Sequence, residues 1–189
     1  MGSERALIDE EGRLLHAPAR WQPGDPVAAP LDFYRGCVLP AWVDYNRHMT
    51  EAAYLTAFGW ASDALFSYIG DDEAYRAAGH SFYTVETHIA YLREAAEHEP
   101  LRITTRVLGL DRKRLHIYHE MFNGTDKLLA TTEKMLVHVD MNAGRAVAIL
   151  SEPRAALEAI ADAHAVLPPA PRAGHFSLPT PNNQTEQPE

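Results

Sequence analysis

The chain has 189 residues, 46% of them hydrophobic and 23% charged, with a net charge of −9; this is the composition of one globular domain with a real core. The acidic balance argues against nucleic acid as a partner, because phosphate binding needs clustered Lys and Arg. A single cysteine, Cys37, leaves no intrachain disulfide and no cysteine-rich zinc site, and no apolar run is long enough to cross a bilayer, so a cytoplasmic protein outside membranes is expected.

Residues 1–30 mix charges with Pro23, Pro26 and Pro30 and read as an N-terminal extension whose start lacks the apolar segment of a signal peptide. The folded body is expected at 31–166. A strand-like lead-in ends at Trp42–Val43, and in "WVDYNRHMTEAAYL" Asp44, Asn46 and His48 then alternate up to a helix. Thr50 suits an N-cap. Tyr54, Phe58, Ala61, Leu65 and Tyr68 recur at steps of four and three, which predicts one apolar face of a helix over 51–69. Gly70 follows as its terminator.

A strand series comes next. "SFYTVETHIAYL" (81–92) alternates Tyr83, Val85, Thr87, Ile89 and Tyr91 with Phe82, Thr84, Glu86 and His88. "LRITTRVLGL" (101–110) and "RLHIYHEMF" (114–122) are divided by the charged turn Asp111–Lys113, and "NGTD" marks a hairpin before "KLLATTEKMLVHVDM". "RAVAIL" suits a last strand, and Pro153 suits the first turn of a helix over 153–164. Residues 167–189 are Pro-rich and read as an extended or disordered tail. Short turns between consecutive strands mean antiparallel pairing. One long helix against such a sheet is an α+β domain, with an antiparallel sheet wrapped around one long central helix.

Several chemistries find no residues here. No G-x-S-x-G and no Gly-rich phosphate loop occurs. His116 and His119 are three apart on a strand and so face opposite ways, and no ligand spacing for a metal is present. Carboxylate chemistry remains. Asp44 at the turn into the helix can act as nucleophile or as base for a water. The unpaired backbone N–H groups near Thr50–Glu51 carry the positive end of the helix dipole. The plain alternative is an Asx turn made by Asp44 and Asn46. Glu86 and His88 form either a solvated cross-strand pair or an acid/base pair facing a site.

The run Asp44, His48, Met49, Thr50 and Tyr54, followed by a long helix and antiparallel strands, resembles the hotdog-fold acyl-CoA thioesterases of the 4-hydroxybenzoyl-CoA thioesterase group. Arg47 stands where that group usually has Gly, and Thr50 where it has Asn. With "GHSFYTVETHIAYL" and "KRLHIYHEM", the chain is most similar to thioesterases that accompany bacterial carnitine dehydrogenase and hydrolyse betainyl-CoA. The resemblance implies the hotdog fold, thioester hydrolysis without a cofactor beyond the coenzyme A of the substrate, and a homodimer or homotetramer with sites built from two chains. It also implies a functional link to carnitine dehydrogenase. It implies catalytic roles for Asp44 and His48, with Glu51 supplying a backbone amide that polarises the carbonyl and Glu86 as a second acid/base group or counter-charge.

A trimethylammonium acyl group has no N–H, so aromatic faces must recognise it. Trp42, Tyr45, Phe82 and Tyr83, with Asn46 and His88, are the substrate-binding candidates. Arg112, Lys113 and Arg114 are the densest basic cluster and suit the coenzyme A phosphates, or else a solvated turn. A different acyl group, an acyl carrier protein as donor, or a silent acyl-CoA-binding domain are the alternative readings.

Overall fold

A computed structural model describes residues 8–178. Strand β1 (Leu31–Cys37) ends well before Trp42, because Pro40 opens a 3-10 turn at Pro40–Trp42. Then come α1 (Glu51–Ile69), a short α2 (Glu73–Ala77), β2 (His80–Tyr91), β3 (Pro100–Leu110), β4 (Arg114–Asn123), β5 (Leu128–Asp140), a two-residue β6 (Arg145–Ala146) and α3 (Ser151–His164). All pairings are antiparallel, in the order β1-β3-β4-β5-β2, with β6 added to β5. This is the hotdog arrangement of one sheet around a central helix. No helix among the described residues is long and apolar enough to cross a membrane.

Helix α1 begins and ends where its cap residues dictate. Thr50 Oγ1 accepts from the Ala53 N–H at 3.3 Å, and Gly70 takes the left-handed conformation with φ 91°. Its first half buries Ala53, Tyr54, Ala57 and Phe58 against Tyr34, Ile103 and Met121. Its last turns bury Leu65 and Ile69 with Val107, Ile117 and Leu136, a cluster that α3 completes with Leu157 and Ile160. Alanines at 53, 57, 61 and 64 let the sheet approach several sides of the helix.

In β2 the faces differ from simple alternation. The register against β5 shifts between Thr84 and Glu86, so Thr84 faces Leu136 and Glu86 faces Met135. This bulge takes Val85 out of step and reverses the pattern beyond it. Phe82 and Thr84 therefore share a face with Thr87 and Ile89, while Tyr83 lies on the outer face with Glu86 and His88.

Of the N-terminal extension, residues 8–30 are described. They lie over the ends of α1: Ile8 joins the core beside Tyr34, the Tyr34 hydroxyl donates to Gly12 O at 2.8 Å, and Trp21 N donates to Tyr68 O at 2.9 Å. Gly12, at φ 91°, runs so close to Trp42 that a Cβ would sit 2.3 Å from its ring. Of the tail, residues 167–178 are described, and the rest lies outside them. They cross the outer face of the sheet, where Glu133 accepts from the N–H groups of Gly174 and His175, each at 3.1 Å, and from His175 Nδ1 at 2.8 Å.

Candidate active site

The segment from Trp42 to Thr50 is a pinched loop. Val43 bridges Met49, the Asp44 N–H donates to His48 O at 3.0 Å, and the Thr50 N–H donates to Trp42 O at 2.9 Å. Met49 N donates to Ala95 O at 2.8 Å, which anchors the loop on the β2–β3 connection. Within it, Asp44 Oδ1 accepts from the N–H of Asn46 at 2.8 Å and of His48 at 3.4 Å. The Asx turn suggested by the residue types is thus formed. Among the described residues Asp44 Oδ2 meets only the Asn46 side-chain amide, at 3.4 Å, so one oxygen is held more firmly than the other.

Arg47 sits at φ 61°, a left-handed conformation that explains why a glycine suits this position. Its side chain swings outward and pairs with Glu97. His48 Nδ1 lies 3.5 Å from the Glu94 carboxylate, so its ring turns to Glu94 and makes no hydrogen bond to Asp44.

At the mouth of α1, Thr50 satisfies Ala53, and among the described residues nothing accepts from the Glu51 or Ala52 N–H. Those two donors carry the positive end of the dipole. A carboxylate and, among the described residues, two unpaired amides are therefore joined by one hydrogen-bonded loop at one end of the domain.

The other expected site residues are dispersed. Trp42 is buried in the core at 8% exposure, whereas Tyr45 stands 93% exposed. Glu86 is exposed on the outer face, and His88 stacks on His175 with ring centroids 3.4 Å apart. The cluster Arg112–Arg114 lies at the β3–β4 turn. Lys113 Nζ donates to Ala146 O at 3.0 Å and Arg114 pairs with Asp111 at 2.6 Å, leaving the Arg112 side chain exposed. The length of β3 separates that turn from the Asp44 end, about 33 Å at about 3.3 Å per residue.

Phe82 and Tyr83 line a cavity of about 540 Å³ between α1, α2 and the His80 end of β2. Trp60, Asp63, Asp71 and Arg76 share its walls. Asp71 is buried and Asp63 exposed at the rim; partial desolvation raises both carboxyls, against the opposing pull of Arg76 on both. Sequence reasoning passed over these residues, yet a signal existed: Asp63 is the one charged residue between Ala52 and Ile69.

The thioesterase-like superfamily model matches residues 38–157. A betainyl-CoA thioesterase of Pseudomonas aeruginosa is 44% identical over 140 residues, 73% of this chain and 88% of that protein. An L-carnitine dehydrogenase/betainyl-CoA thioesterase of a Rhizobium species is 44% identical over 177 residues, 93% of this chain but 35% of that one. The chain thus spans about a third of such two-function relatives. A putative thioesterase of Pseudomonas putida KT2440, solved as a crystal structure, superposes with a TM-score of 0.67 at 34% identity, over 81% of this chain and 99% of that one.

Proposed function

The chain belongs to the thioesterase-like superfamily, and from that premise we propose that it hydrolyses betainyl-CoA to glycine betaine and coenzyme A. The observation that carries this reading is that one short pinched loop leads from the weakly held Oδ2 of Asp44 to the unpaired amides of Glu51 and Ala52 at the mouth of α1. Asp44 either removes a proton from water as its oxygen attacks the thioester carbon, or attacks that carbon itself to give an anhydride that water opens. In both routes the carbonyl oxygen gains charge at the helix amides, and the sulfur leaves with the bonding pair. His48 orients the loop through Glu94.

We read the working unit as a dimer. β2 is a twelve-residue edge strand on which Tyr83, Val85 and Tyr91 are each more than 40% exposed. An edge of that kind needs cover. Antiparallel pairing of two β2 strands about a two-fold axis lays the Tyr91 end of one beside the His80 end of the other. The Asp44 loop of one protomer then meets the aromatic cavity of its partner, and the Arg112 end approaches the same region for the coenzyme A phosphates. In this reading Asp44 and Phe82 act together although they stand far apart within one chain. The two-function relatives support a working link to carnitine dehydrogenase.

Thiol release from betainyl-, acetyl- and benzoyl-CoA by the purified protein tests the assignment. Betainyl-CoA is expected to lead in kcat/KM by at least about tenfold; a neutral acyl-CoA in the lead would overturn the substrate assignment.

A further inference from the structure

The cavity beside β2 brings together two kinds of wall. Phe66 and Phe82 stack at 5.8 Å with planes 12° apart, and Trp60 and Tyr83 flank them. Two carboxylates, Asp63 and Asp71, enter from α1 and the turn after it. The charges around them are unevenly matched. Arg13 pairs with Asp9 and Glu11. Arg76 Nη1 donates to Asp71 Oδ1 at 3.1 Å and to Asp71 O at 2.7 Å. Asp71 is 1% exposed, and its Oδ2 has no hydrogen-bond partner among the described residues. Asp63 has neither an ion pair nor a hydrogen bond among the described residues, although Arg76 and Lys134 both exert a pull on it.

Asp63 is exposed at the rim of this aromatic cavity, and a carboxylate in that setting suits one chemical class of ligand. A quaternary ammonium has no N–H to donate, is bulky and apolar on its surface, and is held by aromatic faces with a nearby negative charge. The Arg13 guanidinium already lies 5.7 Å from the Trp60 ring centroid, so a cation rests against this wall in the folded chain. The aromatic rings favour a cation over a neutral group of the same shape, and a carboxylate adds a full negative charge to that preference.

We propose that this cavity is the acyl subsite for a quaternary ammonium group, with Asp63 as the counter-charge that selects it and Trp60 and Tyr83 as the faces against its methyls. The proposal rests on the thioesterase reading for its catalytic meaning, and it adds a specificity residue that lies outside the Asp44 loop. Asp71 supports it from below, with Oδ1 held by Arg76.

Two readouts test it. Betainyl-CoA and 3,3-dimethylbutyryl-CoA differ only in a nitrogen cation against a neutral carbon, so the ratio of their kcat/KM values isolates charge. Asp63→Asn should lower that ratio by about tenfold or more, and Asp63→Glu should restore most of it. Any loss common to both substrates cancels in the ratio. Equal ratios in wild type and Asp63→Asn would overturn the proposal. The second readout needs no turnover: glycine betaine is titrated into the full chain while tryptophan fluorescence is followed. Saturable binding that weakens about tenfold in Asp63→Asn supports the subsite; identical curves, or no binding to wild type, overturn it. Binding without any thioester hydrolysis would remove the thioesterase reading and leave the subsite standing.

Discussion

The Tyr91 hydroxyl donates to the backbone carbonyl of Glu51 at 3.2 Å. The last residue of the edge strand is thereby tied to the first turn of the long helix, where the free amides lie. Tyr54 stands edge-on to the same ring at 5.4 Å, and its hydroxyl donates to Arg93 O at 3.0 Å. Two tyrosines therefore brace the helix mouth against the strand, and an oxyanion donor depends on such bracing because its position must not drift as charge develops.

Tyr91→Phe removes one partly exposed hydrogen bond. Its expected cost is about 0.5–1 kcal/mol of stability, with kcat/KM falling several-fold for every acyl-CoA alike. Thermal melts and a substrate panel check both parts. A loss confined to one acyl group would place Tyr91 in the acyl pocket instead.

Arg47 holds a left-handed backbone that costs an L-residue about 1–2 kcal/mol, and its pair with Glu97 leaves the Arg side chain largely exposed and so contributes little. Arg47→Gly is expected to raise stability by up to about 1 kcal/mol after the added freedom of the unfolded chain is counted. Arg47→Ala keeps the strain and loses the pair, so it should fall below wild type. Urea midpoints of the three proteins give the order.

Glu133 is buried beneath the C-terminal segment. Burial opposes its ionisation, but the Gly174 and His175 amides and the rings of His175 and His116 outweigh this and hold its carboxyl at about 2, down from 4.5. A depressed carboxyl stabilises the fold above its unfolded value and loses that contribution as pH falls through the folded one. The gap in unfolding free energy between wild type and Glu133→Gln should be about 3 kcal/mol at pH 7. It should shrink as pH drops from about 4.5 toward about 2. The variant should also be cut more readily by protease near residues 168–178.

Lys134 presents the opposite case. Its ammonium donates to Phe58 O at 3.2 Å and Ser62 Oγ at 3.0 Å, yet burial lowers it from 10.5 to about 8. Between those values the unfolded chain binds the proton and the folded chain does not, so stability contributed at this site rises with pH across that window. Lys134→Met should lack that rise and be more stable than wild type near pH 7, because the desolvation cost of a buried charge is removed. Unfolding free energies measured from pH 7 to pH 10.5 on both proteins decide it.

How much of this was legible beforehand differs by element. Helix α1 could be read to both ends because Thr50, the Tyr54–Phe58–Leu65 stripe and Gly70 all point to the same bounds. The antiparallel pairing of β3, β4 and β5 followed from short turns, whereas the β1–β3 and β2–β5 pairings join strands distant in sequence and were not legible. The faces of β2 did not, because the bulge at Val85 is a property of its pairing with β5, which alternation within one strand does not reveal. The Asx turn was visible in Asp44 and Asn46, but the left-handed demand at Arg47 was hidden behind an atypical residue. Asp63 went unread because its setting depends on Ser81–Tyr83 meeting the flank of α1, a contact made only when β2 has joined the sheet. The covering of Glu133 by residues 174–176 was hidden for a similar reason: a Pro-rich tail shows no periodicity even where its amides have a buried carboxylate to meet.

The most direct test of the account is the turnover of betainyl-CoA by Asp44→Asn. Asparagine keeps the shape of the turn and can still accept from the Asn46 and His48 amides, but it can neither attack a thioester nor take a proton from water. In this variant kcat/KM is expected to fall by at least about 10³-fold while the melting curve and oligomeric state match wild type. Full activity in that variant, with its fold intact, would contradict the role given to Asp44 and the mechanism built on it.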